Sequence, residues 1–358
     1  MSFALAVVGL GLSFRLPSRS PPPRAAVAEE VAPGELRSPS ELRKGIAKFY
    51  DKSSGVWEKV WGEHMHHGYY PGGARKDHVQ AQVDMIDAVL EWSGVGRDGG
   101  AAPARVLDVG CGIGGSTRHI ARKYGAEGVG ITLSPVQAAR AGALADAQGL
   151  GDKVQFQVAD ALNMPFADNS FDLVWSLESG EHMPDKEKFV AELSRVRRAI
   201  RRTSAQLCAI LRNSLTRHHH TSQVLKPGGR LIVVTWCHRD LAAGESALLP
   251  KEERLLRLIN RAYYLPRWCS VARYVDLIGA KGLTGIKRDD WTDDIALFWP
   301  AVIRSAFRPR ALLGLLRSGL STIRGALVMP LMIRGYKKGL IVFGLVTAKK
   351  PYGSETVQ

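Results

Sequence analysis

The feature that most constrains this chain is the run Asp108-Val109-Gly110-Cys111-Gly112-Ile113-Gly114-Gly115. It stands between a short apolar stretch, Arg105–Val109, and a helix-patterned one, Thr117–Tyr124. Glycines let a backbone turn sharply and come close to a ligand. A helix beginning just beyond offers unpaired N–H groups that favour an anionic group. Gly110, Gly112 and Gly115 satisfy G-x-G-x-x-G, the dinucleotide fingerprint. A nicotinamide site also wants an acid at the end of the second strand. That place reads Gly130-Ile131-Thr132-Leu133-Ser134 and has none; the acid, Asp108, precedes the glycines instead. A carboxylate there suits a cationic ligand.

Around this turn, strand and helix patterns alternate. Strands are predicted at Arg105–Val109, Gly128–Ile131, Val154–Val158, Phe171–Ser176 and Arg230–Trp236, with helices at Thr117–Tyr124, Pro135–Gln148 and Lys186–Val196 between them. Strands separated by helices imply a doubly wound α/β fold with a parallel sheet. A helix is expected at Ser270–Ile278 and two last strands at Gly282–Lys287 and Leu340–Lys349. Upstream, Ser40-Glu41-Leu42-Arg43 is read as the cap of a helix containing Ile46, Phe49 and Tyr50. Gln80–Trp92 is read as another, with Val83, Ile86, Val89 and Leu90 on one face.

The net charge of +15 is concentrated in three acid-free blocks: the first 28 residues, Leu193–Arg239 and Ile295–Ser354. A nucleic-acid protein concentrates charge on its recognition fold, so no nucleic-acid partner is expected. The basic tail, rich in Leu, Ile and Met, fits an anionic membrane surface. No apolar run is long enough to span a membrane. Cys111, Cys208, Cys237 and Cys269 are scattered without a CxxC pair, so neither a zinc site nor a disulfide framework is indicated. His64, His66 and His67 have no accompanying ligand cluster, and no metal is expected. Residues 1–40, rich in Ser, Pro, Ala and Arg, have the composition of an organelle transit peptide. The apolar run Phe3–Leu12 lacks the preceding basic residue of a secretory signal.

Asp-x-Gly-x-Gly-x-Gly resembles the first motif of class I S-adenosylmethionine (SAM) methyltransferases. Trp61-Gly62-Glu63-His64-Met65-His66-His67-Gly68-Tyr69-Tyr70, Val234-Thr235-Trp236-Cys237-His238-Arg239, Phe298-Trp299-Pro300-Ala301 and Gly335-Tyr336-Lys337-Lys338-Gly339-Leu340 resemble the γ-tocopherol methyltransferase family within that class. The likeness runs over nearly everything after about residue 40. It implies a Rossmann-like fold with a seven-stranded, mostly parallel sheet, an N-terminal lid and a C-terminal helical cap. The implied division is 1–40 plastid transit peptide, 41–100 helical lid, 101–290 SAM-binding core and 291–358 amphipathic cap with the last strand.

The resemblance also implies roles. Asp108, Gly110, Gly112 and Gly114 would hold the methionyl part of SAM, with Thr132 and Leu133 beside it. Gln137 would take the ribose in place of the missing acid. Asp160, followed by Ala161, would accept from the adenine amino group, and Tyr69 or Tyr70 would lie near the cofactor carboxylate. The acceptor would be a prenylated chromanol, a tocopherol, methylated on a ring carbon ortho to its phenol. His182, Glu178 and His66, in that order, are the candidates for drawing off the phenol proton. Trp175, Trp268, Phe298 and Trp299 would line an apolar slot. Asp168 and Asp172 are read as a turn residue and a strand-start residue. The tail from Phe307 to Gly335 is expected to be an interfacial element on the plastid inner envelope.

Residues 197–223, basic and ending in a His triplet, interrupt the family pattern. They fall on a link opposite the ligand edge, where insertions are tolerated. Three alternatives stand beside the main reading: the same cofactor with an alkaloid-nitrogen or sterol acceptor, a SAM-binding relic broken by the insert, and a nicotinamide dehydrogenase.

Overall fold

The computed structural model describes residues 35–96, 102–195, 223–306 and 320–351. The leader up to residue 34, most of the insert and the tail segment 307–319 lie outside the described residues. The first helix, α1 (Pro39–Trp61), is capped by Ser38 rather than Ser40. The Ser38 hydroxyl accepts from Glu41 N–H while Glu41 reaches back to Ser38 N–H, a reciprocal capping box. Glu35 is tied to the rest of the fold: its carboxylate accepts from Arg267 N–H (3.0 Å). Arg37 donates to the carbonyls of Asn260 and Arg261. The helix α2 (His78–Ser93) starts on Asp77 and ends at Gly94 in the left-handed conformation.

From β1 (Arg105–Val109) the chain alternates through α3 (Gly115–Tyr124), β2 (Glu127–Thr132), α4 (Pro135–Ala147), β3 (Val154–Val158) and β4 (Phe171–Leu177). There follow α5 (Lys186–Leu193), β5 (Ser194–Arg195), β6 (Gln223–His238), α6 (Pro250–Tyr263), α7 (Val271–Ala280) and β7 (Thr284–Asp290). The chain closes with α8 (Phe298–Ala306), α9 (Leu320–Lys337) and β8 (Ile341–Lys349). The sheet order is β3-β2-β1-β4-β6-β8-β7, with β5 a short antiparallel partner of β6. The strands β3, β2, β1, β4 and β6 are parallel; β8 enters antiparallel between β6 and β7. The strand after the insert shifts register against β4 between Phe171, opposite Leu225, and Leu173, opposite Arg230; from Arg230 onward it pairs regularly with both neighbours, Arg230 lying opposite Lys349. Asp172 lies at the entry to β4, one residue in, where it accepts from Arg105 N–H and pairs with Lys226 (2.7 Å).

Alternation along the strands divides the core. Leu107, Val109, Val174, Leu231 and Val233 face α5 and α7. Val106, Leu173, Trp175, Ile232 and Val234 face α2 and α3. Each large apolar side chain buried this way contributes roughly 1.5–3 kcal/mol. Trp175 is fully buried in the second of these cores, so it is sheet packing and not part of an acceptor slot. The helices α1, α6, α8 and α9 cover the carboxyl edge of the sheet and build two further clusters there. The order reverses between β1 and β4, which opens a crevice at that edge.

Candidate functional site: a cleft over the glycine turn and an aromatic chamber beside it

At the end of β1 the N–H groups of Gly110 and Cys111 both donate to the Ile131 carbonyl, each at 2.9 Å. Gly110 has φ +83°, and a Cβ there would collide with Ser179. Ser179 in turn donates to the Val109 carbonyl (2.6 Å), so the loop after β4 seals the turn. Gly115 lies against the Glu63 carbonyl and the His64 ring, again with no room for a Cβ. Arg118, buried on α3, donates to the Ile113 carbonyl (2.6 Å) and to the Glu63 carboxylate (2.7 Å). One guanidinium therefore clamps the segment after α1 onto the glycine turn.

The resulting cleft opens to solvent, and its empty space, solvent at the mouth included, is about 780 Å³. Asp108, Gly110, Gly112, Thr132 and Leu133 line it, together with His66, Glu178 and His182. Asp108 is buried, and Thr117 donates to it at 2.6 Å. Burial pushes its carboxyl up to about 7 against that hydrogen bond. A cationic ligand beside it would return it to the carboxylate form. The site therefore fits a sulfonium ligand. An adjoining recess holds Asp160 and Ala161 and shares Gly110, Thr132 and Leu133 with the cleft. Asp160 accepts from Leu162 N–H (2.9 Å), and Arg43 of α1 reaches it at 3.2 Å.

Four residues expected at the cofactor do not line the cleft. Tyr69 packs against Trp291 with tilted rings (4.7 Å between ring centroids) on the α2 side of the sheet and is not in the cleft wall. Tyr70 is buried among the aromatic rings of α1 and α8. Gly114 caps α3, with Phe156 and Ala141 where its side chain would be, and supports the turn from behind. Gln137 is buried behind the cleft wall. It accepts from Thr132 Oγ1 (2.8 Å) and donates to Ser54 Oγ (3.1 Å), which joins α1 to the end of β2.

A second chamber opens on the first; Tyr50, Met65, Glu178 and His182 line both. Its walls are aromatic: Trp57, Trp61, Trp236, Tyr263 and Trp299. Of the expected slot residues only Trp299 lines it. Phe298 is buried behind it against His67 (4.7 Å), and Trp268 stacks on the far side of Trp236 (6.1 Å).

The mouth between the chambers holds the titratable groups. Glu178 adopts φ +53°, a strained conformation for a residue with a side chain. Its carboxylate accepts from His67 N–H (2.5 Å), pairs with His67 Nδ1 (2.7 Å) and accepts from Trp236 Nε1 (3.0 Å). Burial would raise its pKa, but His67 and these donors outweigh burial and hold it below the usual range. His182 Nε2 lies 3.0 Å from Tyr50 Oη, and its Nδ1 has no partner among the described residues. Burial, aided by the Lys186 charge, pushes it down to about 3, so the ring is neutral. His66 Nδ1–H donates to the His67 carbonyl (2.9 Å), leaving Nε2 without a partner among the described residues.

Glu181 was not among the expected site residues. It is buried in the wall of the aromatic chamber, and Thr235 Oγ1 donates to it (2.7 Å). Burial, together with the Glu178 charge, raises it to about 8. The available signal was its place in the same loop as Glu178 and His182.

A carboxylate-led glycine turn at the switch point of this sheet order, with the segment after α1 clamped onto it, defines a class I SAM-dependent methyltransferase. Residues 107–199 match the profile of a methyltransferase domain. The chain is 53% identical over 323 residues to the probable tocopherol O-methyltransferase, chloroplastic, of Oryza sativa subsp. japonica, covering 89% of this chain and 81% of that one. It is 51% identical over 320 residues to the tocopherol O-methyltransferase, chloroplastic, of Arabidopsis thaliana, covering 88% and 84%. Among solved structures the cyclase SpnF superposes with a TM-score of 0.63 at 26% identity, over 86% of this chain and 96% of that one. At this identity and coverage the chain belongs to the tocopherol methyltransferase family of SAM-dependent methyltransferases. The plastid address expected from the leader agrees with the chloroplastic names of both plant relatives.

Proposed function

We propose that this enzyme methylates the aromatic ring of γ-tocopherol, and of δ-tocopherol, on a carbon ortho to the phenol, giving α- and β-tocopherol. The observation that carries this reading is the aromatic chamber opening onto the glycine-turn cleft, with proton-handling groups at the shared mouth. Asp108, the glycine turn, Thr132 and Leu133 would hold SAM, with Asp160 and Ala161 at the adenine end. Gln137, in this reading, sets the end of β2 and the lid rather than standing in the open cleft. When bound, SAM supplies a methyl group on a positively charged sulfur.

The chain's own residues do the rest. Trp61, Trp236 and Trp299 orient a flat ring and exclude water, and most of the rate gain comes from that positioning. A phenol at the mouth lies within reach of His182 and Glu181. Drawing off its proton pushes charge onto the ortho carbon; the ring hydrogen that the methyl replaces would then leave as a proton, and the phenol would regain the one it gave up. Oxygen held by those groups is the poorer nucleophile, and the ring carbon is left facing the cleft. Glu178, already engaged by three donors, holds the lid and Trp236 rather than taking a proton. His66 offers the Nε2 lone pair on the cofactor side. The enzyme is placed at the plastid inner envelope, held peripherally through its basic C-terminal region, because a prenylated acceptor resides in membranes.

The test is labelled SAM with γ-tocopherol, δ-tocopherol and an indole amine. Transfer to both tocopherols, in products that keep a free phenol, is expected. A methoxy product moves the acceptor atom to oxygen, and transfer to the amine alone overturns the reading. In the same assay His182→Ala is expected to lower turnover with SAM affinity nearly unchanged.

A further inference from the structure

The outer wall of the aromatic chamber is the packed helix pair α6 and α9, which contribute Tyr263 and Met329 to its lining. Leu256, Ile259 and Met332 knit the two helices together beneath. On α6 the buried residues Leu256, Ile259, Asn260 and Tyr263 fall on one arc. At 3.6 residues per turn the opposite arc carries Lys251, Arg254, Arg257, Leu258 and Arg261, all exposed. Of the two acids on this helix, Glu252 is taken by Arg239 (2.9 Å) and Glu253 sits beside Arg257 (3.8 Å). On α9, Leu327, Pro330, Arg334 and Lys337 recur every three to four residues and are exposed, Leu327 by 71%.

Isolated exposed leucines are ordinary. A field of one sign around them is not, since soluble surfaces intersperse both signs. Among the described residues, Lys251, Arg254, Arg261, Arg334 and Lys337 form no ion pair. Pro330 cannot donate to the turn below it, which weakens α9 directly beside Met329.

We propose that this α6–α9 face docks on an anionic lipid surface, and that the acceptor passes between the two helices into the aromatic chamber. Arginine and lysine heads meet the lipid phosphates, and Leu258 and Leu327 enter the headgroup layer. The inference rests on the proposed function in taking the acceptor to be lipid-borne. It goes beyond that reading in naming the face and the route.

The experiment uses the full chain in sedimentation with vesicles of phosphatidylcholine alone or with added phosphatidylglycerol. Turnover is measured on γ-tocopherol in those vesicles and on a tailless chromanol in solution. The parent is expected to bind only the anionic vesicles. Arg254→Glu/Arg257→Glu/Arg261→Glu is expected to weaken that binding at least tenfold and to lower vesicle turnover in parallel, with turnover on the soluble chromanol unchanged. The second variant, Leu258→Ser/Leu327→Ser, leaves the charge intact and is expected to lower vesicle turnover several-fold; it decides the matter should the charge reversal abolish soluble turnover as well. Parental vesicle binding and turnover in these variants overturns the proposal. So does binding of the parent to a homopolymeric RNA but not to vesicles. A parent that methylates neither chromanol in any medium defeats the proposed function instead, while vesicle binding still reports on the docking face.

Discussion

The two chambers that meet at His182 are built from different material. The cofactor cleft is made by strand ends and a glycine turn, contiguous stretches whose backbone groups form its floor. The aromatic chamber is made by side chains from α1, α6, α8, α9 and β6, segments spread from Phe49 to Met329. A backbone-built floor tolerates most side-chain changes and fails where a Cβ cannot fit. A side-chain-built wall changes with every substitution. Such a division lets one cofactor site serve different acceptors within one fold.

The harshest test of that division is Gly110→Val. Its side chain would run into Ser179 at a positive φ, and SAM affinity is expected to fall about 100-fold or more, the equivalent of roughly 3 kcal/mol. Normal binding in calorimetry would mean that the turn does not hold the cofactor. Glu181→Gln touches only the acceptor side. Above about pH 8, where Glu181 has given up its proton and can accept one, turnover is expected to drop about 100-fold, the lower range for a positioned proton acceptor, with SAM affinity within about twofold of the parent. An equal loss in SAM affinity would show that the chambers are not separable. Trp299→Ala removes one aromatic wall and is expected to raise the acceptor KM about tenfold, close to 1.4 kcal/mol, with kcat nearly kept.

The mildest expectation concerns pH and folding. Glu181 rises from the ordinary 4.5 to about 8 in the folded chain. The protein therefore holds a proton that the unfolded chain has already lost. That stability is complete below about 4.5 and is lost as pH rises through about 8. Asp108, raised to about 7, acts in the same direction in parent and variant alike. His182, lowered to about 3, acts oppositely: its contribution is present above the ordinary 6.5 and is lost as pH falls toward 3. The melting temperature of the parent is expected to fall by a few degrees relative to Glu181→Gln between pH 5 and pH 8. Parallel melting curves across that range would remove Glu181 from the list of buried neutral acids.

Much of the cofactor side is legible in the chain. The strands Arg105–Val109 and Val154–Val158 fall where the alternation places them, and β2 and β4 differ only at their ends. The helix expected to run to Val196 stops at Leu193, because Ser194 and Arg195 pair with the start of β6 instead. The helix Pro250–Tyr263 is absent from the sequence expectation, although Pro250 with Glu252 and Glu253 is a usable start signal. On the acceptor side, aromatic residues were visible but their destinations were not. Trp175 went to the sheet core, Tyr69 to Trp291 and Trp299 to the chamber.

What the sequence determined by itself is everything that acts over a few residues: the strand, the glycine turn with its acid, the helix caps and the order of strands and helices. These follow from local sterics and hydrophobic period, which a linear chain displays. Only the tertiary structure decided which of several carboxylates carries a proton, that Glu178 is spent on His67 and Trp236, and that Glu181 is held near 8. Burial and the placing of neighbouring charges set those properties, and both arise from contacts between residues far apart in the chain.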